Sequence, residues 1–220
     1  MNEFDNYGVT DLPSPKRLES LVDGVFAISM ALLALGLGVP EIFQSRGEAN
    51  IVLFLSQMWP KFLIYGISFL VLGVFWILHH KQFRFILGYD GVLLWINIIL
   101  LMFVALAPFS AFLLYNHYND WLSMVFYGTN HIMICQLLFI NWCYASHRHR
   151  LIRLDTSPHQ CKVPMILFQF ISLGFLTAIV IASFNPILAV IMFGLTLVIT
   201  MALLASRHRN LYADQREIGE

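Results

Sequence analysis

RLESLVDGVFAISMALLALGLGVP, residues 17–40, decides how the chain is read. From Gly24 to Pro40 the stretch carries no charge over 17 residues. At about 1.5 Å per residue, a helix of that length is short but adequate to cross the hydrocarbon core of a bilayer. Charges gather at its start, as Arg17, Glu19 and Asp23, and Pro40 stops it. Five more apolar runs follow, at 62–78, 91–115, 121–146, 163–184 and 186–206. Each approaches or exceeds the span of about 18 residues that a membrane-crossing helix needs. The runs are continuous, so tilted barrel strands of alternating polarity do not fit.

Composition agrees. Of 220 residues, 59% are hydrophobic and only 12% charged. An ordinary soluble domain has roughly 45–50% apolar residues with glycine included and about twice this charge. With mean hydropathy at +0.73, a single soluble domain would have a greasy exterior. A soluble enzyme and a disordered chain are excluded, and a net charge of zero adds nothing toward a nucleic-acid partner. The first 17 residues hold Glu3, Asp5 and Asp11 against Lys16 and Arg17, the wrong balance for the start of a secretory signal peptide. Cys135, Cys143 and Cys161 form no even set and read as reduced thiols.

The expectation is an all-α membrane protein with one six-helix transmembrane domain over residues 1–220. Its helices fall at about 18–39, 52–80, 90–115, 121–146, 162–184 and 186–207. Asn185-Pro186 makes a tight turn that folds the last two into a hairpin. With six spans, Lys16, Arg17, Lys81, Arg84, Arg148, Arg150, Arg153, Lys162, Arg207, Arg209 and Arg216 share one side, eleven of the thirteen basic residues, against Arg46 and Lys61 on the other. By the positive-inside rule both termini are cytoplasmic, in the cell membrane.

Ionisable groups within spans are rare and costly. Asp23 lies roughly 9 Å deeper than Arg17 along the first helix and on another face, so each looks for partners elsewhere. One reading leaves Asp23 hydrated among headgroups. The other gathers Arg17, Asp23, Trp76, His79, His80 and Asn97 in one cytoplasmic-side layer that clamps the first helix, since a buried carboxylate needs donors. On the same helix Ile28, Leu32 and Leu35 form a stripe amid small residues such as Ala27, Ala31 and Ala34. Such a stripe serves packing or lipid contact, or it narrows a pore that gates by dewetting. In the fourth run, Asn130, His131 and Gln136 read as interhelical hydrogen bonders. Cys143, His147 and His149 do not amount to a metal site.

Arg17-Leu-Glu-Ser-Leu-Val-Asp23 is similar to the first-helix signature of bacterial potassium channels of the transmembrane protein 175 family: Arg, three residues, then Phe-Ser-Asp. Phe75-Trp76-Ile-Leu-His79-His80 with Phe83 resembles the end of the family's second helix. Trp95-Ile-Asn97, followed by Phe103 and Pro108-Phe109, resembles its third. The resemblance implies homotetramers with the first helix of each subunit lining a central pore, and modest selectivity supplied by that helix rather than by a carbonyl filter. It implies that Ile28, Leu32 and Leu35 line the constriction, that Ala31 stands near the pore where many members have threonine, and that Arg17 and Asp23 anchor the helix to Trp76, the His pair and Asn97. Leu21-Val22 in place of Phe-Ser, and Gly36 and Gly38 in place of residues often charged, are departures.

The functional expectation is therefore a potassium-permeable cation channel with a hydrophobic constriction and modest preference over sodium. Its partners are potassium and other monovalent cations, the lipid bilayer and copies of itself, with no cofactor, metal or nucleic acid. A proton-coupled secondary transporter using Asp23 and the His pair, and a non-transporting membrane assembly protein, are the alternatives. An enzyme is not expected, since no HExxH, GxSxG or paired intramembrane aspartates occur.

Overall fold

A computed structural model describes residues 13–37, 51–117, 120–153 and 156–217. The expected break at Pro40, the departure Gly38 and the connection 41–50 lie outside them. The described residues form six α-helices: α1 (Lys16–Leu35), α2 (Ile51–Phe83), α3 (Gly91–Asn116), α4 (Trp121–Ser146), α5 (Pro158–Ala182) and α6 (Pro186–Glu217). Each contains a segment long and apolar enough to cross a membrane.

Local chemistry sets the helix starts. Asp90 and Asp120 cap α3 and α4 through the Leu93 and Leu122 amides, at 2.9 and 3.1 Å. The Asn185 side chain accepts from Ile187 and Leu188 at 3.0 and 3.2 Å, turning the chain from α5 into α6. Ser157 and Gln160 form a capping box with Pro158 in the first turn, so α5 begins before the apolar run does. At the far end α6 stays helical to Glu217, beyond its apolar segment.

Sequential helices pack against one another from α2 through α6, α6 returns to α2, and α4 touches α2, α3, α5 and α6. Small residues allow close approach: a Cβ at Gly128 would sit 2.6 Å from Ile179, and one at Gly174 would run into Thr196. By contrast, α1 leans on α2 and α3. It buries Leu18, Val22, Phe26, Ser29 and Leu33, one stripe at helical spacing.

At the end where α1 and α3 start and α2 and α4 finish, two connections are tied together. Ile86 and Ile152 form an antiparallel β-bridge. Leu87 N–H donates to Leu151 O at 2.9 Å and Arg153 N–H to Phe85 O at 3.2 Å. A 3-10 turn at His147–His149 leads in, with Arg148 and His149 both left-handed at φ 52° and 53°. Asp90 reinforces this end: its second oxygen takes the Tyr144 hydroxyl and the Arg150 guanidinium, the latter at 3.1 Å.

Desolvation alone would raise the Asp90 pKa. The Leu93 amide, Tyr144 hydroxyl, Arg150 guanidinium and Val92 amide outweigh it and hold the carboxyl below its ordinary value of 3.8. A depressed carboxyl contributes stability that is fully present above the unfolded-state pKa and is lost as pH falls through the folded one. Thermal melts in detergent should show wild type above Asp90→Asn at neutral pH, with the gap closing only in acid below the ordinary carboxylate range. Asp90→Ala also loses the cap and should cost about 1 kcal/mol more. Coincident neutral-pH melts of wild type and Asp90→Asn would contradict this role.

Candidate functional site

The side of α1 turned away from α2 and α3 carries Ile28, Leu32 and Leu35, exposed at 62%, 43% and 74%. The same face carries exposed Gly24, Ala27, Ala31 and Ala34. Exposed apolar side chains occur on every helix, as lipid contact requires. The α1 face differs in interspersing its aliphatic side chains with small residues that let another backbone approach. Leu32 stands at the margin of this face, while Ile28 and Leu35, seven residues apart, share one line along it.

At the start of α1, Trp76 Nε1 donates to Asp23 Oδ1 at 2.8 Å, joining α1 to α2. The Trp76 indole stacks on His80 with ring centroids 5.8 Å apart. A second group lies on another face of α2. His79 Nε2 donates to Asn97 Oδ1 at 3.0 Å, the direction an amide oxygen imposes. Asn97 Nδ2 donates to Leu93 O and to Asn141 Oδ1, both at 2.8 Å. Asn141 Nδ2 donates to Gln82 Oε1 at 3.1 Å, and Gln82 Nε2 ends the chain on Leu138 O at 2.9 Å. His79, Gln82, Asn97 and Asn141 are all buried, and the His79 ring stacks on Phe83.

The expected layer thus resolves into two groups. Asp23, Trp76 and His80 come together at the α1–α2 contact, and His79 and Asn97 belong to the buried chain across α2, α3 and α4. Successive residues on a helix point about 100° apart, so His79 and His80 serve different neighbours. Arg17 joins neither group: it is exposed and makes no hydrogen bond or ion pair among the described residues. Gln82 and Asn141 lie outside the expected set, although an amide inside an apolar run, as in Ile140-Asn-Trp, is a signal that a partner must exist.

Near the middle of α4, Asn130 bonds the Phe103 carbonyl of α3 at 3.3 Å and Gln136 bonds Ser172 of α5 at 2.8 Å, the interhelical use expected of them. His131 instead donates from Nδ1 to Tyr127 O of its own helix at 2.8 Å and reaches its neighbours by its ring, which lies parallel to Phe175 at 5.4 Å. Among the described residues no three His, Cys, Asp or Glu side chains converge as metal ligands would.

Residues 17–108 match the family model described as endosomal/lysosomal potassium channel TMEM175. A potassium channel of Streptomyces collinus is 35% identical over 104 residues, which cover 47% of this chain and 49% of that protein. A potassium channel of Chamaesiphon minutus is 29% identical over 159 residues, covering 70% and 77% respectively. The chain therefore spans about half the length of the first of these relatives and about three-quarters of the second. The crystal structure of a lysosomal potassium-selective channel TMEM175 homolog from Chamaesiphon minutus shares the fold. Its TM-score is 0.74 at 24% identity, over 85% of this chain and 96% of that one. The family match begins at Arg17, takes in Asp23, Trp76, His79, His80, Gln82 and Asn97, and ends within α3, so Asn141 and Leu138 lie beyond it. The chain is thus a multi-pass membrane protein that shares the fold of a TMEM175 homolog and, over residues 17–108, is similar to the TMEM175 potassium channel family, a family of channels and not of enzymes.

Proposed function

We propose that the chain is the subunit of a potassium-permeable cation channel with modest preference over sodium. It assembles as a homotetramer in the cell membrane, with both termini cytoplasmic and α1 lining the central axis. One observation carries this reading: α1 buries a single stripe against its own subunit and leaves Ile28, Leu32 and Leu35 on a face dotted with small residues. The names of the bacterial relatives support it, as does the eleven-to-two distribution of basic residues.

The mechanism derives from that face. Four copies of α1 around an axis place Ile28, Leu32 and Leu35 in rings roughly 6 and 4.5 Å apart along the pore. Aliphatic rings offer water no hydrogen bonds, so a narrow neck dewets and closes, and a slightly wider one passes partly hydrated cations. Potassium holds its hydration less tightly than sodium and enters such a neck at lower cost. Ala31 offers no hydroxyl to replace lost water, which keeps the preference modest. At the inner end, Asp23 and Trp76 hold α1 to α2, and the buried chain from His79 to Leu138 keeps α2, α3 and α4 in register beneath it.

Purified protein in liposomes should dissipate a potassium gradient, and Leu35→Ala should raise the flux severalfold by widening the neck. Well-assembled tetramers that pass neither potassium nor sodium, in wild type or variant, would overturn the proposal. Trp76→Phe keeps the ring and removes the donor to Asp23. Its expected cost is about 1 kcal/mol, read as a lowered melting temperature together with altered flux. Trp59→Phe, at an exposed position on α2, should change neither. Equal melting and flux for the two tryptophan variants would remove Trp76 from the anchoring role.

A further inference from the structure

At the outer end of α1, Gly36 lies against the ring of Tyr115, near the end of α3. Gly36 has φ −64° and ψ −20°, ordinary helical values that any residue adopts. Its amide still donates to Leu32 O at 3.2 Å and that of Leu37 to Ala34 O at 3.2 Å, so the helix is only beginning to unwind. Backbone conformation therefore gives no reason for glycine here. The reason is the ring: a Cβ on residue 36 would lie 3.0 Å from Tyr115 Cε2 and 3.7 Å from Cδ2. The first distance is inside ordinary carbon contact.

Tyr115 itself is 2% exposed, and its hydroxyl has no hydrogen-bond partner among the described residues. A buried tyrosine usually secures its hydroxyl. Here the side chain is held by packing alone, and what it supplies to α1 is a flat, rigid surface. Leu35, at 74% exposure the most exposed large hydrophobic side chain on α1, adjoins the glycine that rests on that surface. Whatever lifts Gly36 off the ring carries Leu35 with it, away from α3.

We infer that Tyr115 is a positioning residue for the pore: its ring sets how closely the outer end of α1 lies against α3, and so how far the Leu35 ring reaches toward the axis. The inference rests on the reading of α1 as the pore-lining helix. Under it α3 backs α1, and a push from Tyr115 moves Leu35 inward.

The test is potassium conductance of the full-length assembly in planar bilayers, with melting temperature recorded for each variant. Gly36→Ala should lower conductance severalfold with little change in melting. Tyr115→Leu, which withdraws the ring, should raise conductance. Combining the two should return conductance toward wild type, and Tyr115→Phe should undo what Tyr115→Leu does, because the ring is the operative part. A role confined to stability would lower melting temperature in the single variants without this reciprocal pattern in conductance. Leu35→Ala is the control for the underlying reading. Altered conductance in Leu35→Ala with wild-type conductance in both Gly36→Ala and Tyr115→Leu overturns the positioning role alone. Unchanged conductance in all three overturns the pore reading and the inference with it. Should Gly36→Ala fail to assemble, the opposite pair of Tyr115→Leu and Tyr115→Phe decides the matter.

Discussion

Polar side chains placed in an apolar medium must satisfy one another, and the buried run from His79 through Asn97, Asn141 and Gln82 to the Leu138 carbonyl is where this protein meets that demand. Each amide oxygen accepts from the preceding member and each amide nitrogen donates to the next, with one hydrogen of Asn97 spent on its own helix at Leu93. A chain of this kind has a direction and a length. Removing a middle member strands a donor on one side and an acceptor on the other, in surroundings where neither finds water. The register of α2 against α3 and α4 is thereby fixed at the end that also receives α1.

On this base α1 is the least embedded helix. It packs chiefly on two neighbours and spends its buried stripe on them, leaving the face with Ile28, Leu32 and Leu35 exposed. The indole of Trp76 is the hinge between the two regimes: it sits on a helix locked from behind by His79 and reaches forward to Asp23. Under the proposed function, rigidity behind and freedom in front suit a helix that lines a pore, since local stability is not uniform across a structure.

Much of this is legible in the residues. Continuous apolar runs mark the six spans because membrane crossing demands them, and Asn185-Pro186 marks the α5–α6 turn because the Asn185 side chain caps α6. Hydropathy reports the crossing segment and not the helix, however. The Ser157–Gln160 box starts α5 ahead of its apolar run, and α6 continues to Glu217 after its own has ended. At the end where α1 starts, Asp23, Trp76, His79, His80 and Asn97 all stand out in the sequence, but the sharing of labour between His79 and His80 depends on helix rotation, and the partnership of Asn97 with Asn141 on interhelical register. Neither is written in spacing within one helix. Arg17 shows the converse: a residue placed in a recognised pattern need not bond to the others. The contact of Gly36 with Tyr115 joins residues far apart in the chain, and only packing reveals it.

The β-bridge between Ile86 and Ile152 has a consequence for biogenesis. Ile86 precedes α3 and Ile152 comes after α4, so the two segments meet only after that hairpin has crossed the bilayer and returned. A chain that inserted α3 without α4 would leave the two bridged segments on opposite sides of the membrane, and Asp90 would be parted from Tyr144 and Arg150. The closed bridge is thus a record of completed insertion, made at the moment the middle hairpin comes home and before the α5–α6 hairpin has to be in place.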